Sequence, residues 1–210
     1  GQNSLTEFLE RQVPGCYAAF EEPQVHLRFG GRLASYERRF RRRFVETHEL
    51  LGRGRVLRAF AAGDQAYLEV IARRRLKAID KVLRRRQATT YVDVSKYFAR
   101  GLHRGFLGVL PSLSIIHLVR DPLRNMRSFL NRNKTFYLDN DRPDSPANLL
   151  RLDPSDLHPG EFYLWAWCEM YLRFQALAEN PKVAIAVEIR TEELHDPKPL
   201  LALLDTLDLA

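Results

Sequence analysis

The run "LSIIHLV" (Leu113–Val119) is apolar almost throughout, and "RDP" stops it at once. It is too short for a buried helix, and near-continuous apolar strands of this length belong to sheets covered on both faces. "KVAIAVEI" reads as another buried strand, while "CYAAF" and "TTYVDV" read as shorter ones. Helical patterns lie between them. Gly1 to Gln12 places Leu5, Phe8 and Leu9 at i, i+3, i+4. "LASYERRFRRRFVETHELL" is broken by "GRGR". The long "AGDQAYLEVIARRRLKAIDKVLRRR" has Asp64 as its N-cap. "KYFARGLHRGFLGVL", "PLRNMRSFLNRN", the aromatic-rich "EFYLWAWCEMYLRFQALAEN" and the closing "DPKPLLALLDTLDL" complete the series. Strands alternating with helices predict an α/β fold with a parallel sheet, whose ligands bind beyond the carboxyl ends of the strands. With 45% hydrophobic residues, positions 1–210 suit one domain with one core. "KTFYLDNDRPDSPANLLRLDPSDLHPGE" reads as a long surface excursion with one short helical turn.

Charge narrows the function classes. Lys and Arg number 33 against 26 Asp and Glu, a net +7, which favours anionic partners. The excess sits in "YERRFRRRF", "ARRRLKAIDKVLRRR" and "RNMRSFLNRNK", and the first two runs read as solvated helix faces. Cys16 and Cys168 make no disulfide framework and read as buried thiols. No Cys/His cluster has zinc-ligand spacing, no G-x-x-x-x-G-K-[ST] occurs, and no zinc-finger or aromatic RNA-binding motif is present. No stretch of eighteen apolar residues occurs.

The junction after "IIHLV" carries the most chemistry. Arg120 ends the strand, Asp121 suits an N-cap and Pro122 the first helical position. Leu123, Met126 and Leu130 then define the expected core face. Ser128 lies about 200° from Met126 and should point away from that face, with Arg124 one turn before it. A guanidinium fork and a hydroxyl near the carboxyl end of a strand make a compact phosphate clamp.

"IIHLVRDPLRNMRS" resembles the 3′-phosphate-binding segment of sulfotransferases that use 3′-phosphoadenosine 5′-phosphosulfate (PAPS), in which an Arg at a strand end is followed by a Ser at the spacing of Arg120 and Ser128. "KVAIAVEIRTEELHDPKPLLALLDTLDL" resembles that family's last strand, turn and closing helix, with Glu192, Glu193 and Leu194 on the turn as structural residues. "GQNSLTEFLERQVPGCYAAFEEP" resembles the segment that starts halfway through the 5′-phosphosulfate loop. "YVDVSKYF" is similar to the strand that carries a lysine to the site in the tyrosylprotein branch. The resemblance spans the whole chain. It implies a three-layer, P-loop NTPase-like α/β fold, a central parallel sheet flanked by helices. The first strand and the first half of the loop are expected ahead of Gly1.

It also implies a division of labour. Gly1, Gln2, Asn3 and Ser4 correspond to the second half of the phosphosulfate loop, a nest of N–H groups at a helix start. Gln2 and Asn3 stand where the family has hydroxyl residues. Arg120 and Ser128 would hold the 3′-phosphate, Lys96 would neutralise charge on the leaving phosphate, and Glu22 would act as general base. Glu21 beside it raises the pKa of a confined carboxylate pair, and His26 is a weaker base candidate. His117 reads as a satisfied core histidine. Trp165 and Trp167 read as core anchors, one of them a candidate for lining an acceptor groove. The implied reaction moves a sulfuryl group from PAPS to a hydroxyl or amine of a glycan or protein acceptor, with no metal and no nucleic acid involved. Three alternatives stand beside it: a P-loop protein using ATP or GTP, a basic α/β module binding an anionic polymer, and a degenerate family member that has lost transfer.

Overall fold

The computed structural model describes residues 2–20, 48–95, 97–131 and 142–209, together with Tyr36 and Phe40. Elements are numbered below in chain order among these residues. The fold is mixed α/β and mainly helical. Its described strands form two separate parallel pairs of two, where one sheet was expected. Each pair belongs to a different compact unit, one made of residues 1–14 and 110–210, the other of residues 15–109.

In the second unit, β1 (Cys16–Phe20) pairs in parallel with β2 (Thr90–Val94), Ala18 opposite Val92. The expected helix before "GRGR" lies largely outside the described residues. Its end is a 3₁₀ turn, Glu49–Leu51, closed by Gly52 at φ 81°. Helices α2 (Arg55–Ala61) and α3 (Gln65–Arg86) follow, then a 3₁₀ turn at Phe98–Arg100 and α4 (Leu102–Val109). Asp64 caps α3 as its position predicts, accepting from the Tyr67 N–H at 3.1 Å. Helices α3 and α4 pack closely because Gly105 has no side chain, and a Cβ there would stand 2.2 Å from the Leu68 carbonyl oxygen. Arg75 departs from the solvated-face reading of its run. It is 1% exposed, ion-paired with Asp93 on β2 and hydrogen-bonded to the Leu50 carbonyl.

In the first unit, α1 (Gln2–Gln12) buries Leu5 and Leu9. β3 (Leu113–Val119) runs parallel to β4 (Val183–Arg190), His117 opposite Glu188 and Val119 opposite Arg190. Helices α5 (Pro122–Leu130), α6 (Pro159–Ala178) and α7 (Pro197–Thr206) complete the unit. β3 is half-buried along both faces apart from exposed Ser114, whereas β4 is not covered on both faces as its apolar run implied. In β3 only Ile115 is buried, and β4 exposes Ala184, Ala186, Glu188 and Arg190 in alternation. The run in β4 looked continuous because alanine counts as apolar. Its small side chains in fact mark an open face, on the period of two that a strand imposes. Among the described residues no helix is long and apolar enough to cross a membrane.

The excursion before α6 is described from residue 142 onward, and residues 134–141 lie outside the described residues. Within residues 142–158 it forms turns without a helix, and it is tied down from beneath. Glu169, fully buried, accepts from the N–H groups of Leu149 and Leu150 at 3.1 and 2.7 Å and pairs with Arg173 at 2.6 Å. Arg173 also donates to Asn148 Oδ1 at 2.9 Å, and Asn148 donates to the Arg142 carbonyl at 2.7 Å. Trp165 Nε1 donates to the Leu150 carbonyl at 2.8 Å. A buried ion pair whose remaining valences are filled by loop backbone fixes the path of that loop.

Candidate functional site

At the carboxyl end of β3 the chain turns sharply into α5. Asp121 Oδ1 accepts from the Arg124 N–H at 2.7 Å, and Pro122 occupies the first helical position, as the sequence predicts. The core face of α5 differs from the expected one. Leu123 and Leu130 are 52% and 39% exposed, and the half-buried positions are Pro122, Asn125, Met126, Ser128 and Phe129. Phe129 packs against the Tyr163 ring at 5.4 Å. Helical spacing accommodates either set, and contact with α6 selects the second. Ser128 consequently sits on the flank of the packed face, half-buried, rather than opposite it.

Arg120 is exposed, and its guanidinium lies along α5, where Nη1 donates to Asn125 Oδ1 at 3.4 Å. Asn125 and Ser128 are i, i+3 neighbours on the helix surface. The arginine is therefore turned toward the side of the helix that carries the serine, with an amide between them. The Arg120 carbonyl accepts from Trp167 Nε1 at 3.2 Å, which fixes the backbone where the strand ends. Trp167 stacks on Tyr171, centroids 5.3 Å apart. The Tyr163 hydroxyl is pushed up to about 12 by burial, with the nearby Arg120 charge pulling the other way. Trp165 is the core anchor of the two tryptophans, and Trp167 stands half-buried at the strand end.

Next to this end, His117 Nδ1 lies 3.3 Å from Glu188 Oε2, and its ring stacks on Phe174 at 4.3 Å. Burial holds this imidazole below its ordinary range, the Glu188 charge acting in the opposite sense. The Tyr171 hydroxyl hydrogen-bonds to the same carboxylate, which raises its pKa. His117 is thus a satisfied histidine, with a partner the sequence did not name.

The other expected site residues fall at the start of α1 or outside the described residues. Gln2, Asn3 and Ser4 form the first turn of α1, in the same compact unit as Arg120, and their N–H groups have no acceptor within the helix. Gly1, Glu21, Glu22, His26 and Lys96 lie outside the described residues. On the last turn, Glu193 accepts from the Arg190 N–H at 2.7 Å, a local backbone contact of the kind expected there.

Two residues of the strand-end cluster were missed. Asn125 carried a signal, a polar residue three positions before Ser128 on the same helix. Arg190 carried none, because only the register places it opposite Val119, one residue from Arg120. Among the described residues, no three His, Cys, Asp or Glu side chains gather as they would around a metal ion.

Comparison of the chain with family models, curated proteins and solved structures finds no match. The strand-end geometry and the sequence resemblance therefore carry the functional reading.

Proposed function

We propose that this chain is a PAPS-dependent sulfotransferase domain, with the 3′-phosphate of the nucleotide bound at the carboxyl end of β3. The observation that carries this reading is Arg120, exposed at that strand end and laid along α5 toward the side bearing Asn125 and Ser128. A guanidinium fork, an amide and a hydroxyl suit three phosphate oxygens. The N–H groups of Gln2, Asn3 and Ser4, with the positive end of the α1 dipole, suit the 5′-phosphosulfate. PAPS supplies an activated sulfuryl group, transferred to a hydroxyl or amine of a glycan or protein acceptor. The chain's own part is to position the nucleotide and neutralise its charge, with Lys96 assigned to the leaving phosphate and Glu22 to the acceptor proton. The three-layer arrangement around one central sheet belongs to the same proposal. A second reading, nucleotide binding without transfer, is favoured by Gln2 and Asn3, which replace the hydroxyl residues of the loop.

Calorimetry with adenosine 3′,5′-bisphosphate tests the nucleotide site, with AMP and the Arg120→Ala variant as controls. The proposal expects the bisphosphate to bind well ahead of AMP, and Arg120→Ala to weaken it about 30-fold. Equal affinity for AMP would remove the clamp. Transfer of labelled sulfate from PAPS to an acceptor mixture separates the enzyme from its inactive counterpart.

A further inference from the structure

The long helix α3 carries a cationic face that the nucleotide reading does not use. Leu68, Ile71, Ala72 and Arg75 are buried on one side. On the opposite side Arg73, Arg74, Lys77, Lys81, Arg84 and Arg85 are all exposed. At about 100° per residue these six fall within an arc of about 120°, along about 18 Å of helix. Three are partly balanced: Arg73 by Glu69 at 3.4 Å, Arg74 by Glu49 at 3.8 Å and Arg84 by Asp80 at 2.6 Å. Lys77, Lys81 and Arg85 have no carboxylate within ion-pairing distance among the described residues, so the face keeps a surplus of positive charge.

We propose that this face of α3 docks onto an anionic lipid bilayer. Charge complementarity limits the partner to an anion-bearing surface or polymer. Two features favour the bilayer. Residues 70–85 of α3 include no aromatic residue, so this stretch of the helix offers no stacking platform of the kind that holds single-stranded nucleic acids. Val70, 53% exposed, projects from the middle of the same arc. An apolar side chain among cations gains nothing from a hydrated polyanion but is accommodated at a headgroup–acyl boundary. Lipid anions also diffuse laterally and gather under the irregularly spaced cations, and the long Lys and Arg stems let their charged heads reach the surface.

Sedimentation of the full chain with phosphatidylcholine vesicles, with and without about one-third phosphatidylglycerol, tests this. Binding is expected only with the anionic lipid. It is expected to vanish near 1 M salt, where the screening length is about 3 Å. The triple variant K77Q/K81Q/R85Q, with an unchanged melting temperature, is expected to bind about 100-fold more weakly. The salt dependence of the unaltered chain tests the proposal even if that variant is unstable. Binding that ignores lipid charge overturns it, as does a folded triple variant that binds undiminished. Competition by heparin or an oligothymidylate at equal anion concentration is the third arm. Loss of vesicle binding to either would reassign the face to a polymer and overturn the bilayer proposal.

Discussion

His117 shows how one residue's surroundings set a measurable property. Its imidazole is held below 6.5 by burial, while the unfolded chain titrates near the ordinary value. The unfolded state therefore binds the extra proton first as pH falls. The histidine's contribution to stability is complete above about pH 6.5 and is lost as pH drops toward the lowered folded value. Urea unfolding at a series of pH values from 7 to 5 is expected to show that loss, and His117→Gln is expected to lose less over the same interval. An identical slope in both proteins would show that another group governs it. Asn125 is the second case. If its amide supports the arginine beside a bound 3′-phosphate, Asn125→Ala weakens adenosine 3′,5′-bisphosphate about fivefold and leaves AMP unaffected. Isothermal titration of both ligands reads this directly.

At the scale of elements, the segment before α6 depends on a side chain that its own sequence does not contain. Glu169 lies well inside α6, yet its carboxylate holds the backbone of Leu149 and Leu150 while it pairs with Arg173. Glu169→Ala leaves the Arg173 guanidinium, 4% exposed, without its carboxylate, and breaking such a pair costs about 3 kcal/mol or more. The expected result is a lower urea midpoint together with new proteolytic cleavage within residues 142–152. A lower midpoint without new cleavage would mean that the loop is held by Trp165 and Asn148 alone. The sequence could not point to this network. Glu169 and Arg173 are an ordinary i, i+4 pair of the kind usually found on a helix surface, and only the neighbours of α6 turn that side inward.

For the molecule as a whole, the division into two compact units has a consequence for unfolding. Both tryptophans, Trp165 and Trp167, belong to the unit of residues 1–14 and 110–210. Tryptophan fluorescence thus reports on that unit, whereas far-ultraviolet circular dichroism reports on the helices of both. The two transitions in urea are expected not to coincide. Arg75→Ala, which removes the buried partner of Asp93 in the other unit, is expected to move the dichroism transition and leave the fluorescence midpoint in place. Coincident transitions that shift together in the variant would show that the units unfold as one.

What the chain settled locally and what it left to packing divide along a physical line. Helix starts at Asp64, Asp121 and Asp196, the glycine break after Leu51 and the β-branched strands were all legible, because caps, turns and backbone preferences act within a few residues. Arg120 could be placed at a strand end for the same reason. The sequence left open which face of α5 is packed, with Leu123 and Leu130 out and Met126 and Phe129 in, because amphipathic spacing admitted both and α6 made the choice. It left open the partners of Arg75, His117 and Glu169, since a charge on a helix or strand looks the same in sequence whether it meets water or a distant carboxylate. It also left open the place of Arg190 opposite Val119, which exists only through the register of β3 with β4. Local propensity determines what each segment becomes. Burial, being shared between segments far apart in the chain, determines which of its side chains face one another.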